Sequence, residues 1–402
     1  MIELVEKAKC SGCSACFNAC KVGALLMETD ETGFWFPHIN REKCIECGAC
    51  VKACPALDKP EYESEAPKAY IVQNKDDEIR RQSTSGGAFT AIAKQIINQG
   101  GVVFGAAMLE EYSVSHIWVD KEADLAKFRS SKYVQSKIGL SYREVERFLE
   151  DGRMVCFSGT PCQIYGLKKI SMGVSKGTLI TVDVVCRAVP SPLILRKYLE
   201  LQRDTFPEFD RLVFRDKGRG YSHSGIALYQ GDKAVYRGGS ESDPWLRTFL
   251  DGYCNRETCY ECLYQDGVRS SDITLWDCWR TNEYAPEWND NKGTTTVVAW
   301  TQNGKHLIES HEANLRCKEI PLEYVSETFK RNSLRKPGSY NRKQFFEDCS
   351  SLDAKSFFDK YEPITIKILL KKKARAVLHK LHLHDIAREL VHKFRRRKRG
   401  KT

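Results

Sequence analysis

Two cysteine runs near the start of the chain constrain its folding more than any other feature. They read Cys10-x-x-Cys13-x-x-Cys16-x-x-x-Cys20 and Cys44-x-x-Cys47-x-x-Cys50-x-x-x-Cys54-Pro55. Three thiolates at this spacing can wrap one corner of an iron–sulfur cubane, which leaves the fourth cysteine of each run for a second site. The repeat therefore predicts a small domain that holds two 4Fe-4S clusters.

In two-cluster ferredoxins the fourth cysteine of each run ligates the other cluster. The crossing predicts two ligand sets, Cys10, Cys13, Cys16 and Cys54 for one cluster and Cys44, Cys47, Cys50 and Cys20 for the other. Disulfides are one alternative, but they rarely persist in a reducing cytosol, and no apolar signal segment precedes Cys10. Zinc is another alternative, but a tetrahedral site has no use for this spacing of four cysteines.

Length and charge limit the remaining possibilities. A chain of 402 residues predicts the small cluster domain and one larger body. Its net charge of +10 is concentrated from Lys367 onward, where 14 Lys or Arg residues face two acidic ones, so we expect no nucleic-acid partner for the body. No apolar run is long enough to cross a bilayer, and 17 cysteines without a secretory signal predict a cytoplasmic location.

The apolar periodicity predicts an α+β ferredoxin-like N-terminal domain, then an α/β body with a mixed, largely parallel sheet, and a basic helical C-terminal tail. The expected boundaries are 1–58 for the dicluster domain, 59–68 for a linker, 69–150 and 151–335 for the two parts of the body, and 336–402 for the tail. Strands ending at Phe157 and Val185 lead into loops with Cys162 and Cys186. Such loops meet at the carboxyl edge of an open α/β sheet, where ligands bind.

Three polar loops of the body are candidates for binding an anionic or cyclic cofactor. Ser83-Thr-Ser-Gly-Gly87 opens a predicted helix, whose free N–H groups and dipole suit a phosphate or a flavin carbonyl. An ordinary helix cap with a flexible glycine pair is the alternative. The other two loops are Arg129–Ser136 and Ser158–Gln163, and Pro161 is expected at the first position of a helix.

A second group of cysteines lies in the body. Cys254, Cys259 and Cys262 fall within nine residues, and Cys186 is the candidate fourth ligand of a third 4Fe-4S cluster. Zinc and three uncoordinated thiols remain open as alternatives.

In the tail, Leu383, Ile386, Leu390 and Phe394 recur at helical spacing among basic residues. This segment predicts peripheral association with an anionic membrane or an acidic partner, and a solvated tail is the alternative.

Together these blocks resemble the beta-subunit family of coenzyme F420 hydrogenase and dehydrogenase. The matching pieces are the two cysteine runs, Ser83–Gly87, Ser131–Ser136, Gly159–Gln163, Cys186-x-x-Val-Pro-Ser191, the Cys254–Cys262 group and Asp272-Ile-Thr-x-x-Asp277-x-Trp279. The resemblance implies a flavoprotein body with bound FAD and a cluster close to it. The FAD residues that it implies are Ser83, Thr84, Ser85, Gly86, Gly87, Ser131, Lys132, Tyr133, Gln135, Ser136, Gly159, Thr160, Pro161 and Gln163.

Lys132 and Cys162 are the candidate catalytic residues, and Lys132 would supply positive charge to the reduced ring or its pyrophosphate. The chain departs from the family at two places. Cys186-Arg-Ala188 replaces Cys-His-Gly, and Trp276-Asp-Cys-Trp-Arg280 replaces Gly-Asp-x-Trp-Gly. If the glycines let the flavin or its substrate approach the backbone, Trp276 and Arg280 would fill part of that space.

The leading hypothesis is an iron–sulfur flavoprotein oxidoreductase, in which a flavin exchanges electrons with the clusters and hydride with a small organic substrate or carrier. A redox partner protein or small electron carrier is expected. The resemblance also implies an accessory role in cell-surface polysaccharide biosynthesis, at the inner face of the membrane. The alternatives are a non-catalytic electron-transfer subunit with a degenerate flavin pocket and a zinc-binding regulatory protein.

Overall fold

The computed structural model describes residues 2–57, 66–174, 176–267, 269–310, 313–332, 334 and 341–380. Most of the predicted linker and the tail positions Leu383, Ile386, Leu390 and Phe394 lie outside these ranges. The strands are β1 (Leu25–Thr29), β2 (Trp35–Ile39), β3 (Lys68–Asn74), β4 (Val102–Met108), β5 (Val114–Val119), β6 (Met154–Gly159), β7 (Thr178–Val184), β8 (Arg211–Asp216), β9 (Gly225–Gln230), β10 (Lys233–Gly238), β11 (Ile273–Asp277), β12 (Thr295–Ala299) and β13 (Leu315–Ile320).

The helices alternate with these strands through the first half of the body. They are α1 (Ala15–Ala19), α2 (Ala49–Lys52), α3 (Asp77–Gln82), α4 (Ala88–Asn98), α5 (Ser141–Glu150), α6 (Pro161–Ser171), α7 (Pro192–Thr205), α8 (Pro244–Asp251), α9 (Thr281–Tyr284), α10 (Gln302–Glu309), α11 (Glu323–Asn332), α12 (Arg342–Ser351), α13 (Ala354–Tyr361) and α14 (Ile366–Lys380). Among the described helices, none has the length and apolar composition needed to cross a membrane.

An eight-stranded sheet organises the body, in the order β13-β3-β12-β11-β7-β6-β4-β5. Its centre is parallel, because β11 pairs with β7, β7 with β6, and β6 with β4 in the same direction. The other four pairs are antiparallel. The prediction of a mixed sheet is confirmed, but the prediction that it is largely parallel is wrong. At one end β5 returns antiparallel to β4, and at the other β12 returns antiparallel to β11, with β3 and β13 added beyond it. Strand periodicity does not reveal these directions.

Helices cover both faces of this sheet, so its central strands are apolar on both sides. On one face Val103 and Cys156 pack with Ile92 and Ile96 of α4. On the opposite face the next residues along the same strands, Phe104 and Phe157, pack with α5 and α6. Successive strand residues point to opposite faces, and this alternation explains why the two clusters share the same strands.

A second layer lies beside the sheet. Strands β8, β9 and β10 form a three-stranded antiparallel sheet in the order β10-β9-β8. Its buried face packs with α7, α8, α12 and α13 around Trp245 and Phe214. Phe34 of the small amino-terminal unit is completely buried in the same cluster. The small unit, built from β1, β2, α1 and α2, is therefore docked against the body.

Candidate functional site

Two cavities in the small unit gather its eight cysteines. The first encloses about 460 Å³, part of it open to solvent, and its walls include Cys10, Cys13, Cys16 and Cys54. The second encloses about 350 Å³, and its walls include Cys20, Cys44, Cys47 and Cys50. Cys50 also borders the first cavity. The fold therefore brings the fourth cysteine of each run to the first three cysteines of the other run.

The two runs share one backbone conformation. Gly12 and Ser14 have φ angles of 68° and 60°, and the equivalent residues Glu46 and Gly48 have 54° and 75°. Left-handed residues bend each loop around its cavity and then start a short helix, α1 or α2. For Glu46 and Ser14 this conformation is costly. Its repetition at equivalent positions indicates that both loops are shaped for the same kind of ligand.

The thiols repel one another in the same two groups. Burial raises the pKa of the Cys16 thiol, and repulsion from Cys13, Cys10 and Cys54 raises it further. Burial also raises the pKa of Cys50, with added repulsion from Cys20 and Cys44. Positive iron would remove the repulsion that such crowded thiolates meet, because a metal deprotonates its coordinating thiols. The donor set of each cavity fits a 4Fe-4S cluster.

A third group of thiols lies in the body, and its membership differs from the prediction. Burial raises the pKa of Cys186 well above its ordinary value, and repulsion from Cys259, Cys162 and Cys262 adds to this. Cys162, predicted as a catalytic residue, therefore joins these three. Cys254, predicted to belong to the group with Cys259, Cys262 and Cys186, is instead fully buried in the apolar cluster around Trp245.

The environment of Cys254 explains its exclusion from this group. Its charged neighbours are Arg342 and Glu362, and burial raises the pKa of its thiol. Its carbonyl accepts a hydrogen bond from Ser191 N at 2.9 Å, which pins the start of the 254–262 loop beneath α7. Only the far end of the loop, with Cys259 and Cys262, then reaches Cys186.

The spacing within these groups bears on which metal they suit. Within the described residues, no three His, Cys, Asp or Glu side chains lie close enough together to hold a single metal ion. A cubane has an iron atom at each of four corners, so its ligands lie further apart than those of one zinc ion. Four thiols are also the ligand number of a tetrahedral zinc site, so metal content has to decide between the two for the third group.

The first cavity and the third group are neighbours. Cys13 and Cys162 interact electrostatically, and this repulsion adds to the effect of burial in raising the pKa of Cys13 to about 12. A Cβ atom at Gly166 of α6 would lie 3.2 Å from Cys13 Sγ and 3.1 Å from Ala15 Cβ. Glycine at this position therefore lets α6, which begins beside Cys162, approach the cysteine loop closely.

The predicted cofactor loops meet at one edge of the large sheet. The parallel strands β6, β7 and β11 end there at Gly159, Val184 and Asp277. Strand β3 runs in the same direction, because it is antiparallel to β12, which is antiparallel to β11. The loop after α3 returns to this edge, where Gly86 N donates to Thr295 Oγ1 at 2.8 Å. Ligands of open α/β folds bind at such an edge.

Hydrogen bonds tie the loops to one another. Thr84 Oγ1 and Ser131 Oγ are 2.9 Å apart, and Ser85 Oγ donates to Asp277 Oδ1 at 2.6 Å. A Cβ atom at Gly86 would lie 2.5 Å from Val72 O, so this glycine is required for close packing on β3. Ser83, by contrast, bonds only within its own helix end, to Ile79 O at 2.7 Å. Gly87 is left-handed, with φ at 79°, and starts α4 without a side-chain cap.

A half-buried carboxylate anchors this edge and was not predicted as a site residue. Asp277 accepts from Arg215 Nη1 at 2.9 Å and from Tyr221 Oη at 2.9 Å, besides Ser85. Arg215 also donates to Tyr133 Oη at 3.3 Å. Lys217 Nζ donates to the carbonyls of Arg80 and Lys292, each at 2.8 Å. The β8–β10 sheet thus holds the Ser85 loop in place. A local sequence pattern does not reveal this contact, because Arg215 and Asp277 are 62 positions apart.

The Gly159–Gln163 loop is held by a second network. Thr160 N donates to Gln163 Oε1 at 2.9 Å, which completes a capping box at the start of α6, and Pro161 occupies the first helical position as predicted. Gln163 Nε2 donates to Ser136 Oγ at 3.2 Å, and Ser136 Oγ lies 3.0 Å from His116 Nδ1. Burial lowers the pKa of His116 to about 4. This neutral histidine, also missed from sequence, connects two predicted cofactor loops.

Two residues predicted to contact FAD have other partners. Lys132 Nζ donates to the carbonyls of Arg129 at 2.8 Å and Lys127 at 3.0 Å, and burial lowers its pKa to about 7. Its ammonium shapes its own loop. Gln135 Oε1 accepts from Trp35 N at 3.4 Å, so this side chain lies at the contact with the small unit.

Other polar atoms at this edge have no protein partner. Ser130 Oγ and Arg129 Nε are buried and have no hydrogen bond within the described residues. Ser130 is also left-handed, with φ at 65°. Buried unsatisfied polar atoms are rare, and a ligand is one common reason for them. The uncapped start of α4 lies near these atoms, because Thr84, which precedes α4, is hydrogen-bonded to Ser131. The free N–H groups of α4, Ser130 Oγ and Arg129 Nε together provide donors that fit an anionic or flavin-like group.

The residues that depart from the family lie away from the Ser85 loop. Trp276 packs with Phe329 and Tyr324, with ring centroids 5.9 and 6.5 Å apart, while its neighbour Asp277 points to the opposite face. Arg280 pairs with Glu283 and Glu327 near the surface. Arg187 donates to Leu250 O at 2.7 Å, and Ala188 packs on the Trp245 cluster. Trp276 and Arg280 thus lie away from the Ser85 loop, and the expectation that they fill part of a flavin or substrate site stays a prediction.

The cysteine cavities and the α/β body define an iron–sulfur protein of the electron-transfer oxidoreductase class. Residues 9–57 match a 4Fe-4S dicluster domain, and a second dicluster model matches residues 36–86. Residues 152–323 match the C terminus of the coenzyme F420 hydrogenase/dehydrogenase beta subunit. The chain thus matches this beta-subunit family over residues 152–323 and carries a dicluster domain ahead of that region.

One similar solved structure is the F420-reducing NiFe hydrogenase complex from Methanosarcina barkeri, studied by xenon derivatization. The likeness has a TM-score of 0.49 and 16% sequence identity, and it covers 72% of this chain and 94% of that chain.

Proposed function

We propose that this protein is an iron–sulfur flavoprotein oxidoreductase that passes electrons between a redox partner and a flavin at the carboxyl edge of the sheet. The observation that carries the proposal is a continuous series of thiol groups. It leads from the second cavity, where Cys47 is exposed, through the first cavity to the group around Cys162. This third group lies where β6 and β7 end, beside the predicted cofactor loops.

The chain's own residues would perform three tasks in this scheme. Cys10, Cys13, Cys16 and Cys54 would hold one 4Fe-4S cluster, Cys20, Cys44, Cys47 and Cys50 a second, and Cys162, Cys186, Cys259 and Cys262 a third. The loops at Ser85, Ser131 and Thr160 would bind FAD, with the free N–H groups of α4 and the side chains of Ser130 and Arg129 as donors. Bound FAD would supply the conversion between one-electron transfer and hydride exchange with a small organic substrate or carrier.

The electrostatics at the edge favour a flavin whose reduced ring carries negative charge. Burial lowers the pKa of Lys217 to about 7, and burial likewise lowers that of Lys132 to about 7, so both ammonium groups are poised to gain or lose a proton near neutrality. A negative charge placed beside them would stabilise their protonated forms. Lys132 would act in this indirect way, because its hydrogen bonds go to backbone carbonyls.

The alternative, a non-catalytic electron-transfer subunit, was based on Trp276 and Arg280 filling the pocket. Both side chains lie away from the Ser85 loop, which supports the flavoprotein proposal over this alternative. The accessory role in polysaccharide biosynthesis and the association of the tail with a membrane remain predictions.

The test is anaerobic purification of the whole chain, followed by iron, acid-labile sulfide and flavin determination on one sample. We expect about twelve irons, about twelve sulfides and one FAD per chain. About eight irons with no flavin would contradict the flavoprotein proposal and leave a dicluster electron carrier. Zinc in place of the last four irons would overturn the third cluster alone.

A further inference from the structure

Arg256 lies between the two halves of the molecule. It belongs to the body, in the loop between Cys254 and Cys259, where its N–H donates to Val189 O at 2.9 Å. Its side chain extends into the small unit and is 1% exposed. Arginine is rarely buried to this extent unless it is paired, so its partners indicate its role.

Those partners surround the first cysteine cavity. Arg256 Nε donates to Cys10 O at 2.7 Å, and Nη2 donates to Trp35 O at 3.1 Å. Nη2 also lies 3.6 Å from Cys10 Sγ, within the range of a hydrogen bond to sulfur. Nη1 has no hydrogen-bond partner within the described residues. The guanidinium therefore donates to a predicted cluster ligand, and the two N–H donors of its Nη1 are left over.

The small unit is shaped to accept this guanidinium. The rings of Phe36 and Phe34 lie 4.0 and 5.2 Å from its central carbon, a cation–π arrangement. A Cβ atom at Gly12 would lie 2.8 Å from Nη1. Gly12, which adjoins the cavity between Cys10 and Cys13, is thus required both for its left-handed backbone and for the space that Arg256 occupies.

The same positive charge acts on the third group. Burial raises the thiol pKa of both Cys162 and Cys259, and attraction to Arg256 opposes that effect at each. One buried cation therefore faces Cys10 on one side and two cysteines of the third group on the other.

We propose that Arg256 is a positioning residue that raises the reduction potential of the first-cavity cluster. Reduction adds one electron, and hence one negative charge, to a cluster, and no proton is required. A buried cation that donates to a ligand sulfur stabilises the added charge, since hydrogen bonds and charge near the sulfurs set cluster potentials. The inference rests on the proposed cluster sites, but not on the flavin.

The competing explanation is that Arg256 only fastens the small unit to the body. Arg143 provides the matched control, because its guanidinium donates to Asn18 O at 2.9 Å and Cys20 O at 2.6 Å and so fastens the same units. Within the described residues, Arg143 makes no hydrogen bond to a cysteine sulfur of the first cavity. A loss of docking would follow from substitution of either arginine, whereas a shift in the first cluster's potential would follow only from Arg256.

The experiment is a redox titration of the whole chain, purified anaerobically and followed by electron paramagnetic resonance, for the wild type, Arg256→Lys, Arg256→Gln and Arg143→Gln. We expect Arg256→Gln to make one of the two dicluster waves at least tenfold harder to reduce, about 59 mV for a one-electron couple. The other wave serves as an internal reference. Arg256→Lys should shift the same wave in the same direction by less, and Arg143→Gln should leave it in place.

An Arg256→Gln protein with full iron and an unchanged wave would overturn the proposal, as would an equal shift in Arg143→Gln. If Arg256→Gln loses its first cluster, Arg256→Lys decides, and an unshifted wave in that variant would overturn the proposal. A wild-type protein without clusters would instead defeat the proposed function.

Discussion

Cys162 acquires its role from its neighbours rather than from its own loop. At the start of α6 it resembles a lone reactive thiol, yet the fold places it with Cys186, Cys259 and Cys262. Thr160 Oγ1, 3.2 Å from its sulfur, and Arg256 both favour the thiolate against the effect of burial. Burial combined with like-charged neighbours is more typical of a metal ligand than of a nucleophile.

Iron content can decide whether Cys162 or Cys254 is the fourth ligand beside Cys186, Cys259 and Cys262. We expect Cys162→Ser to lower iron from about twelve to about eight per chain, because one cubane would lose a ligand. Cys254→Ser, the matched control, should leave iron unchanged, since that sulfur lies in the apolar cluster around Trp245. Iron determination on both proteins checks this, and loss of iron in Cys254→Ser alone would restore the original assignment.

Trp276 and Arg280 differ from the family residues for structural reasons, so restoring glycine should not open a pocket. We expect Trp276→Gly to reduce the free energy of unfolding by about 3 kcal/mol, because its ring packs against Phe329 and Tyr324. Arg280→Gly should cost less than about 1 kcal/mol, as its ion pairs are near the surface. Anaerobic urea unfolding measures both, and higher FAD content in Trp276→Gly would contradict our placement.

At the level of elements, the site depends on two sheets meeting. The large sheet supplies the edge where β6, β7 and β11 end, and the small sheet supplies Arg215 and Lys217 from β8 and the turn after it. Helix α8 closes the core behind this contact through Asp243. Its Oδ1 accepts from Leu246 N at 2.8 Å, and its Oδ2 accepts from Tyr198 Oη at 2.9 Å and Tyr236 Oη at 3.0 Å.

This helix cap predicts a pH dependence of stability. Burial raises the pKa of Asp243 to about 6, from an ordinary value of 3.8. A carboxyl whose pKa is raised on folding contributes stability below its ordinary pKa and loses that contribution as pH rises through about 6. We expect the free energy of unfolding to fall by about 1 kcal/mol from pH 5 to pH 7 through this group.

The comparison uses Asp243→Asn, which cannot ionise and should unfold with a flatter pH profile. Asp359→Asn is the control, because Asp359 is exposed on α13 and forms a surface ion pair with Lys355. Urea unfolding at several pH values provides the slope. An equal slope in the wild type and Asp243→Asn would assign the pH dependence to other groups.

At the scale of the whole molecule, docking of the small unit places the dicluster against the third cysteine group. Phe34 is buried in the core of the body, and Gly166 lets α6 approach Cys13. Asn18 Nδ2 donates to Gly139 O at 2.9 Å, and Arg143 of α5 returns hydrogen bonds to the end of α1. Electron transfer between the groups would depend on this rigid contact.

Arg143→Ala should loosen the contact without unfolding either part. Loss of its charged hydrogen bonds should cost about 2 kcal/mol of docking free energy, which is roughly thirtyfold in the opening equilibrium. Hydrogen exchange at residues 15–20 should accelerate by that factor. Arg147→Ala, one turn further along the same helix, is the control, since its 3.9 Å pair with Asp151 is at the surface. Unchanged exchange in Arg143→Ala would show that apolar packing alone holds the units together.

Prediction from sequence succeeded where the residues that determine a feature lie close together in the chain. The start of α6 follows from Thr160, Pro161 and Gln163, which cap the helix locally. Helix α4 ends at Asn98, just before Gly100 and Gly101. Strands β3, β4, β6 and β7 follow from continuous apolar runs. The pairing direction of β3, β12 and β13 does not follow, because direction depends on where the chain returns and not on the composition of a strand.

The sequence by itself determined the chemistry of the amino-terminal unit and the class of the body. Ligand spacing within a run is a local property, so two cubane-binding loops can be recognised without a fold. Only the tertiary structure decided that Cys162 replaces Cys254 and that Trp276 points away from Asp277. It also placed Arg256 between two cysteine groups. These outcomes depend on which distant segments share a sheet edge, and side-chain packing across that edge has no signature in a single stretch of sequence.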